Sequence, residues 1–268
     1  MDVHLITTDK SCFQLIETIG EALNVTTVVV PSNRLDTDKV KEVIEIANSM
    51  EIPVSIHRSR ARFDNFLSTA SVAISWLYSQ LICERDLTRY SIGILNMHGG
   101  KLPEYRGASV LHWAIANGES ELGICWHQMV EAIDAGPIYA EGEIPISSEV
   151  SALELRKQMI VEATKLFPIA WKRFLTGENL RVQNNLVGKI WPQRKPSDSH
   201  IKYNLTEKEV RDLVRAMCRP WPRSYILLEG KRVEIDRVSH KFKSGAILYE
   251  TSDHKNIYLL PVKAFANY

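Results

Sequence analysis

The sequence predicts an α/β fold with a Rossmann-like, mostly parallel sheet carrying helices on both faces, followed by a small, mostly β C-terminal module. Three observations lead to this prediction. Apolar runs of strand length alternate with helical patterns in the first part of the chain. A stretch with loop composition then interrupts the periodicity, and short β-type runs follow it.

Four apolar runs have the length and composition of buried parallel strands: residues 3–7, 25–30, 72–77 and 92–96. Helical spacing relates the apolar residues that follow the first two runs, which are Phe13, Ile16, Ile19 and Leu23, and then Val40, Ile44 and Ala47. Because parallel strands need crossover connections, this βαβα alternation indicates a doubly wound sheet.

Two further extended segments, 122–129 and 138–146, flank the turn-forming residues 134–137 and predict a mixed sheet edge. A long helix should begin after Ser151, since Ser151 and Glu154 have the spacing of a capping box. One face of this helix is expected to carry Leu155, Met159, Ala163 and Leu166. Pro168 is expected to kink or end it, because proline removes a helical hydrogen bond.

Loop-forming residues dominate the stretch 175–203, where we place the boundary between an N-terminal domain, 1–188, and a C-terminal module, 189–268. Beyond it, Thr206 and Glu209 form a second capping box, before a helix carrying Val210, Leu213, Val214 and Met217. Short β-type runs follow at 225–228, 233–235, 247–249 and 257–260.

The composition is that of a globular protein, with 45% hydrophobic and 24% charged residues among 268. An apolar run near the roughly 20 residues of a membrane span is absent from the sequence, as is a secretory leader, so we expect a cytoplasmic protein without a membrane partner. The four cysteines are far apart and indicate neither a disulfide framework nor a metal site: Cys12, Cys83, Cys125 and Cys218.

Charge is distributed unevenly, although the net charge is only +1. From Lys189 onward, 16 Lys and Arg residues stand against 9 Asp and Glu residues. Such an excess suits a phosphate-bearing partner, but it is also ordinary for a solvated surface.

The predicted strand 92–96 runs into a glycine turn, and it carries two polar side chains that suit acyl transfer. Asn96 and His98 are two residues apart and therefore face the same way. They would emerge at the carboxyl end of the strand, where open α/β sheets bind ligands. Histidine can move protons near neutral pH, and an asparagine amide can stabilise a developing oxyanion. In isolation, however, such a histidine is more often structural, and Asp134 would be an ordinary turn residue.

The stretch from Asn96 to Ile138 resembles the folate-dependent formyltransferases, which share the ordered patterns N-x-H, L-P-x-x-R-G, H-x-M and D-x-G-P-I. The corresponding residues here are 96–98, 102–107, 127–129 and 134–138. A weaker resemblance extends over nearly the whole chain. Residues 194–198, 213–216 and 220–222 are similar to the OB-like C-terminal module of methionyl-tRNA formyltransferases and sugar-nucleotide formyltransferases.

The resemblance implies that Asn96, His98 and Asp134 are the catalytic residues and that N10-formyltetrahydrofolate is the co-substrate, without a metal. An amine would attack the formyl carbonyl, while Asn96 and His98 stabilise the oxyanion and His98 carries protons. Asp134 would orient His98 and favour its protonated form.

The resemblance also implies a folate-binding slot, built from the loop after residues 72–77 and from the segment before Asp134. The matching positions are Gln80, Leu81, Ile82, Val130, Glu131, Ala132 and Ile133. An apolar slot suits a flat aromatic ring, yet four of these residues could equally be core residues: Leu81, Ile82, Val130 and Ile133.

Two departures from the commonest family pattern concern contacts near the slot. His98-Gly99-Gly100 stands where many members have His-Pro-Ser, a variant found among sugar-modifying members, and Ala108 stands where some sugar-nucleotide enzymes carry a folate-contacting Arg. Both departures leave the catalytic residues intact.

The identity of the amine follows from one more comparison with the family. Methionyl-tRNA formyltransferases carry a long basic insertion after the second strand, whereas residues 30–39 here are short, with as many acids as bases. We therefore expect a nucleotide-linked amino sugar, carried on UDP or dTDP, as the partner. A methionyl-tRNA formyltransferase is the first alternative, with tRNA a less favoured partner. A catalytically idle folate- or nucleotide-binding protein is the second. The oligomeric state stays open, a homodimer included.

Overall fold

A computed structural model describes residues 1–20, 23–58, 69–184 and 188–262. Its strands are β1 (Asp2–Thr7), β2 (Asn24–Pro31), β3 (Val54–His57), β4 (Val72–Trp76), β5 (Gly93–His98), β6 (Tyr105–Gly107), β7 (Glu121–Gln128), β8 (Ile138–Pro145), β9 (Lys189–Trp191), β10 (Tyr225–Leu228), β11 (Lys231–Ser239), β12 (Ile247–Glu250) and β13 (Asn256–Pro261). Its α-helices are α1 (Gln14–Ile19), α2 (Asp38–Ser49), α3 (Glu84–Leu87), α4 (Val110–Ala116), α5 (Ala152–Thr176) and α6 (Glu207–Ala216).

The largest sheet has seven strands in the order β3-β2-β1-β4-β5-β7-β8. Strands β1 to β5 run parallel, and β7 is antiparallel to β5. The fold class and the mixed edge predicted from the sequence are thus confirmed. Because β4 and β5 are parallel neighbours, their carboxyl ends meet at one edge of the sheet, where a crevice can form.

Three short strands were not predicted, and each has a physical reason. Strand β3 is an edge strand of four residues, with most of its side chains partly exposed, so it has no apolar run. Strands β6 and β9 have three residues each and pair only with one another. Strand β9 therefore lies inside the stretch 175–203 that the sequence predicted to be loop.

Helix α5 continues through Pro168 to Thr176, so Pro168 does not end the helix, and the alternative expectation of a kink stays a prediction. Beyond the proline, Ala170, Trp171 and Phe174 are buried. Burying a large apolar side chain such as Phe174 stabilises a fold by about 2 kcal/mol, so Trp171 and Phe174 together offset the roughly 3 kcal/mol cost of an interior proline. The predicted core position Leu166 is only half-buried, and the neighbouring Phe167 is fully buried instead.

Two compact units make up the chain. The first comprises Met1–Arg106, Gly123–Gly142 and Ile160–Lys189, and the second comprises Gly107–Leu122, Glu143–Met159 and Ile190–Tyr268. The last division lies next to the boundary placed at 188/189. The second unit also takes two earlier segments, so the two-domain division into 1–188 and 189–268 stays a prediction.

In the second unit, strands β10, β11, β13 and β12 form an antiparallel sheet in that order, which confirms the predicted C-terminal β module. The capping box predicted before α6 is present, with Thr206 Oγ1 accepting from Glu209 N and the Glu209 carboxylate accepting from Thr206 N. Ser151 and Glu154 form the equivalent pair before α5. Within the described ranges, helices lack the combination of length and apolar character that a membrane span requires.

Candidate functional site

Asn96 lies near the end of the fully buried strand β5, where it pairs in register with His127 of β7. Side chains of directly opposed residues share one face of a sheet. The Asn96 Nδ2 atom donates to His127 Nε2 at 3.0 Å, while His127 Nδ1 donates to the Gln128 carbonyl at 2.9 Å. These bonds fix the Asn96 amide and use one of its two N–H hydrogens. The second hydrogen can serve a ligand oxygen.

His98 ends β5, with one ring nitrogen hydrogen-bonded to the backbone and the other facing a carboxylate. Its Nε2 donates to the Tyr105 carbonyl at 2.6 Å, and its Nδ1 lies 3.6 Å from Asp134 Oδ2. Because a carbonyl only accepts, Nε2 carries a hydrogen. Nδ1 is therefore the ring atom at which a proton can be gained or lost, and it faces the carboxylate.

Gly100 makes the approach of Tyr105 to His98 possible. A Cβ at position 100 would lie 2.7 Å from the Tyr105 carbonyl oxygen and 2.8 Å from His98 Nε2. These distances are shorter than van der Waals contact, so the hydrogen bond and a side chain at position 100 exclude each other. Glycine at position 100, where many family members have serine, is therefore what allows the Tyr105 carbonyl to bond to His98.

Asp134 lies between two imidazole rings. Its Oδ1 is 3.5 Å from His127 Nε2, and its Oδ2 faces His98 as described. The backbone of Asp134 has a φ of 48°, in the left-handed region that Asp tolerates better than most residues. The structure therefore brings together the three predicted catalytic side chains and adds His127. The sequence had identified His127 as part of the H-x-M pattern without a role.

An apolar cleft with a volume of about 80 Å³ lies beside these side chains. Six of the seven predicted folate positions line it: Gln80, Leu81, Ile82, Val130, Glu131 and Ile133. Ala132 is not among the lining residues, which also include Leu87, His127, Met129 and Asp134. Leu81 is 70% exposed, so it is not a core residue in this chain.

Gln80 supplies a buried polar group to the cleft. Its side chain is 8% exposed, and its Nε2 has no hydrogen-bond partner among the described residues. The Tyr78 hydroxyl donates to Gln80 Oε1 at 3.5 Å and accepts from His57 Nδ1 at 2.6 Å. The Gln80 oxygen is thus engaged by Tyr78, and the N–H donors are left for a ligand.

Cys125 lies close to the site, but it is not a candidate nucleophile. Burial raises the pKa of the Cys125 thiol well above its ordinary value, and the nearby Asp134 carboxylate raises it further. Since the thiolate is the nucleophilic form, covalent catalysis by Cys125 is disfavoured.

Two residues outside the sequence prediction hold the loop that carries Asp134. The Gln183 Nε2 atom donates to the backbone carbonyls of Asp134 and Gly136, and Arg106 donates to Gln183 Oε1. Arg106 was visible in the L-P-x-x-R-G pattern, but Gln183 lies in the stretch predicted to be loop. Sequence alone gave no signal for its contact, because the two ends of the bond are 49 residues apart.

Family models match both parts of the chain. Residues 5–170 match the formyl transferase model, and residues 194–255 match the formyl transferase C-terminal domain model. The first match covers more than half of the 268 residues, so the chain belongs to the formyl transferase family. This confirms the family predicted from the motifs between Asn96 and Ile138.

Solved structures of several formyltransferases are similar to this chain over nearly their whole length. WlaRD, a sugar 3N-formyl transferase solved with dTDP and 5-N-formyl-THF, aligns over 98% of both chains at 15% identity, with a TM-score of 0.73. An N-formyltransferase from Helicobacter canadensis, in complex with folinic acid and dTDP-3-aminofucose, covers 97% of this chain and 99% of its own at 17% identity and a TM-score of 0.74. For the methionyl-tRNA formyltransferase from Clostridium thermocellum, the coverages are 98% and 99%, the identity 18% and the TM-score 0.61. At these identities the likeness establishes the fold.

Proposed function

We propose that this protein transfers the formyl group of N10-formyltetrahydrofolate to the amino group of a nucleotide-linked amino sugar. The observation that carries the proposal is the convergence of Asn96, His98 and Asp134 beside an apolar cleft. Membership of the formyl transferase family supports the reaction class.

The side chains that line the cleft suit the pterin ring of a folate. Its walls carry partly exposed apolar side chains, which would stack on a flat ring, and Leu81, Val130 and Ile133 are 70%, 39% and 37% exposed. The unpartnered Gln80 amide supplies a donor for an acceptor on the ring edge, since a buried donor without a partner is costly. When bound, N10-formyltetrahydrofolate supplies an activated formyl group next to the catalytic side chains.

Each catalytic side chain has a task that its geometry supports. The second N–H hydrogen of the Asn96 amide donates to the formyl oxygen as charge develops there, a contribution that is typically worth about 100-fold or more in turnover. His98 takes the proton of the attacking amine at Nδ1, while Tyr105 holds the ring through Nε2. The imidazole returns this proton to N10 of the folate as the bond from N10 to the formyl carbon breaks, so that tetrahydrofolate leaves. Asp134 offsets the positive charge that His98 then carries.

Three observations support a nucleotide-linked sugar as the acceptor. Three similar structures of sugar-modifying N-formyltransferases have TM-scores of 0.71 to 0.74, against 0.61 for the methionyl-tRNA formyltransferase. The six residues between β2 and α2 carry one Arg and one Asp, so they offer no basic surface for tRNA. The excess of Lys and Arg from Lys189 onward suits the diphosphate of UDP- or dTDP-linked sugars, whose binding we assign to the module 189–268.

An acceptor panel tests this proposal. Purified protein is incubated with N10-formyltetrahydrofolate and either a set of dTDP- and UDP-linked amino sugars or charged initiator tRNA, and formylated product is measured by mass spectrometry. Asn96→Ala serves as the control for enzyme-dependent transfer. We expect formylation of at least one sugar nucleotide by the wild type and roughly 100-fold less by the variant.

Two outcomes would contradict the proposal. Formylation of tRNA alone, with activity falling steeply as salt rises, would assign the chain to the methionyl-tRNA class. Folate binding without transfer to any acceptor would favour an idle binding protein.

A further inference from the structure

The Gln183 side chain joins Arg106 to the loop carrying Asp134. Its Nε2 donates to the Asp134 carbonyl at 2.9 Å and to the Gly136 carbonyl at 2.7 Å. Its Oε1 accepts from Arg106 Nη2 at 3.2 Å. Gln183 and Arg106 are buried, with 5% and 6% of their surfaces exposed. Buried amides with this many bonds are fixed in orientation, because rotation would leave polar groups unpaired.

The loop that Gln183 holds has an uncommon backbone. Asp134 adopts a left-handed φ of 48°, and a Cβ at Gly136 would overlap the Gln128 carbonyl oxygen. Left-handed backbone costs a non-glycine residue roughly 1 kcal/mol or more, so surrounding contacts must hold it in place. The two carbonyls that flank Ala135 converge on a single amide nitrogen, and this convergence is possible only while the loop keeps this turn.

The position of the Asp134 carboxylate depends on that turn. Its two oxygens lie 3.6 Å from His98 Nδ1, at the outer range of an ion pair with a protonated ring, and 3.5 Å from His127 Nε2. A small change in the Asp134 backbone would move the carboxylate out of reach of one or both rings. Displacements of about 1 Å at an active site can lower turnover by about 100-fold.

We propose that Gln183 is a positioning residue for formyl transfer, because it holds the Asp134 backbone in the conformation that keeps the carboxylate between His98 and His127. The inference rests on the proposed function for the role of Asp134. Arg106 supports Gln183 by fixing which end of its amide faces the loop.

A double-mutant cycle tests the proposal. Gln183→Met keeps the length and burial of the side chain but removes both donated bonds, and Gln183→Glu keeps the acceptor for Arg106 while removing the donors. We expect either change to lower kcat by roughly 10- to 100-fold, with the KM for folate changed by less than about threefold. In an Asp134→Asn background, Gln183→Met should cost less than about threefold more, because the two residues act as one unit.

Glu141→Gln is the matched control, because it weakens a different contact of the chain segment that carries Gln183. Glu141 pairs with Arg181, two residues before Gln183, and Arg181 also donates to the Leu102 carbonyl. We expect its kcat to stay within about threefold of the wild type, since a partly exposed ion pair contributes little. Wild-type kcat in folded Gln183→Met would overturn the proposal. So would a loss that adds fully to that of Asp134→Asn, or an equal loss in Glu141→Gln.

Imidazole nitrogen NMR keeps the test independent of turnover. In Gln183→Met, but not in Glu141→Gln, the ¹⁵N shifts of the His98 ring should change, because the facing carboxylate has moved. Unchanged His98 shifts would overturn the proposal even if the wild type transferred no formyl group, an outcome that would separately contradict the proposed function. If Gln183→Met does not fold, Arg106→Lys is used in the same cycle. A fully additive loss there would overturn the proposal as well.

Discussion

The Asn96 side-chain amide donates to His127 Nε2 at 3.0 Å, directly across the antiparallel pair of strands β5 and β7. The bond joins a residue predicted to be catalytic to one for which the sequence suggested no role. It fixes the direction of the Asn96 N–H group, and a preorganised donor is what stabilises charge in a transition state.

Replacing His127 should therefore leave the Asn96 N–H donor in place but no longer fix its direction. We expect His127→Phe to lower kcat by roughly 10-fold, because the ring keeps its volume but no longer accepts the Asn96 hydrogen bond. His127→Gln restores an acceptor and should recover part of the loss. Steady-state kinetics of both variants checks this, and equal kcat values for the two would contradict the role of the acceptor.

Gly100 is predicted to be required, although serine is common at this position in the family. We expect Gly100→Ser to lower kcat by roughly 10-fold or more, because its Cβ would be forced against His98 Nε2 and the Tyr105 carbonyl. Gly177→Ala is a control for a glycine with open space around its Cβ position. It should change stability alone, since its φ of 72° is strained for alanine. Unchanged kcat in Gly100→Ser would contradict the packing argument.

Tyr78 is predicted to affect folate binding rather than chemistry. Tyr78→Phe removes the hydroxyl that orients Gln80, so the Kd for folinic acid should rise by roughly 3- to 10-fold, the worth of one hydrogen bond. Tyr90→Phe is the matched control, because the Tyr90 hydroxyl makes the same kind of bond to His4 and does not line the cleft. Calorimetric titration of both variants with folinic acid checks this prediction. Equal Kd values for Tyr78→Phe and Tyr90→Phe would contradict the role of the Tyr78 hydroxyl in orienting Gln80.

His112 is predicted to make stability fall with acidity. Burial lowers the pKa of His112 from its ordinary value of 6.5 to about 4, although its bond to the Ala216 carbonyl acts in the opposite direction. Between these two values the unfolded chain binds the proton and the folded chain does not. The stability that His112 contributes is therefore lost as pH falls from about 6.5 to about 4, by a total on the order of 3 kcal/mol.

Urea unfolding across that pH range checks the sign. We expect His112→Gln, which cannot titrate but can still donate to the Ala216 carbonyl, to lose less stability on acidification than the wild type. Parallel losses in the two proteins would show that other groups dominate.

Local patterns in the sequence were sufficient for most of the fold. Long buried strands such as β1 and β5 have continuous apolar runs, and the capping boxes at Ser151 and Thr206 mark the starts of α5 and α6. Strand β3 was missed because a short edge strand needs no apolar run. The sequence did not show that α5 continues past Pro168. The energetic cost of an interior proline is local, whereas the burial of side chains that offsets this cost comes from tertiary packing.

The candidate site was predictable where chemistry and motif coincide. Asn96, His98 and Asp134 lie together as their motifs indicated. The role of Gln183 and the His57–Tyr78 hydrogen bond could not be found, since these contacts join residues distant in sequence and no spacing rule relates them. Gln80 itself was among the predicted folate positions. The departure at Gly100 was visible, but its reason required the distance to His98.

The central claim is that His98 moves a proton at Nδ1 during formyl transfer, and His98→Asn tests it most directly. The measurement is kcat with saturating N10-formyltetrahydrofolate and the acceptor found in the panel, together with the Kd for folinic acid and a thermal unfolding curve. The account predicts a loss in kcat of roughly 100-fold or more, with folinic acid affinity changed by less than about threefold. A folded His98→Asn protein that binds folinic acid normally and turns over at close to the wild-type rate would contradict it.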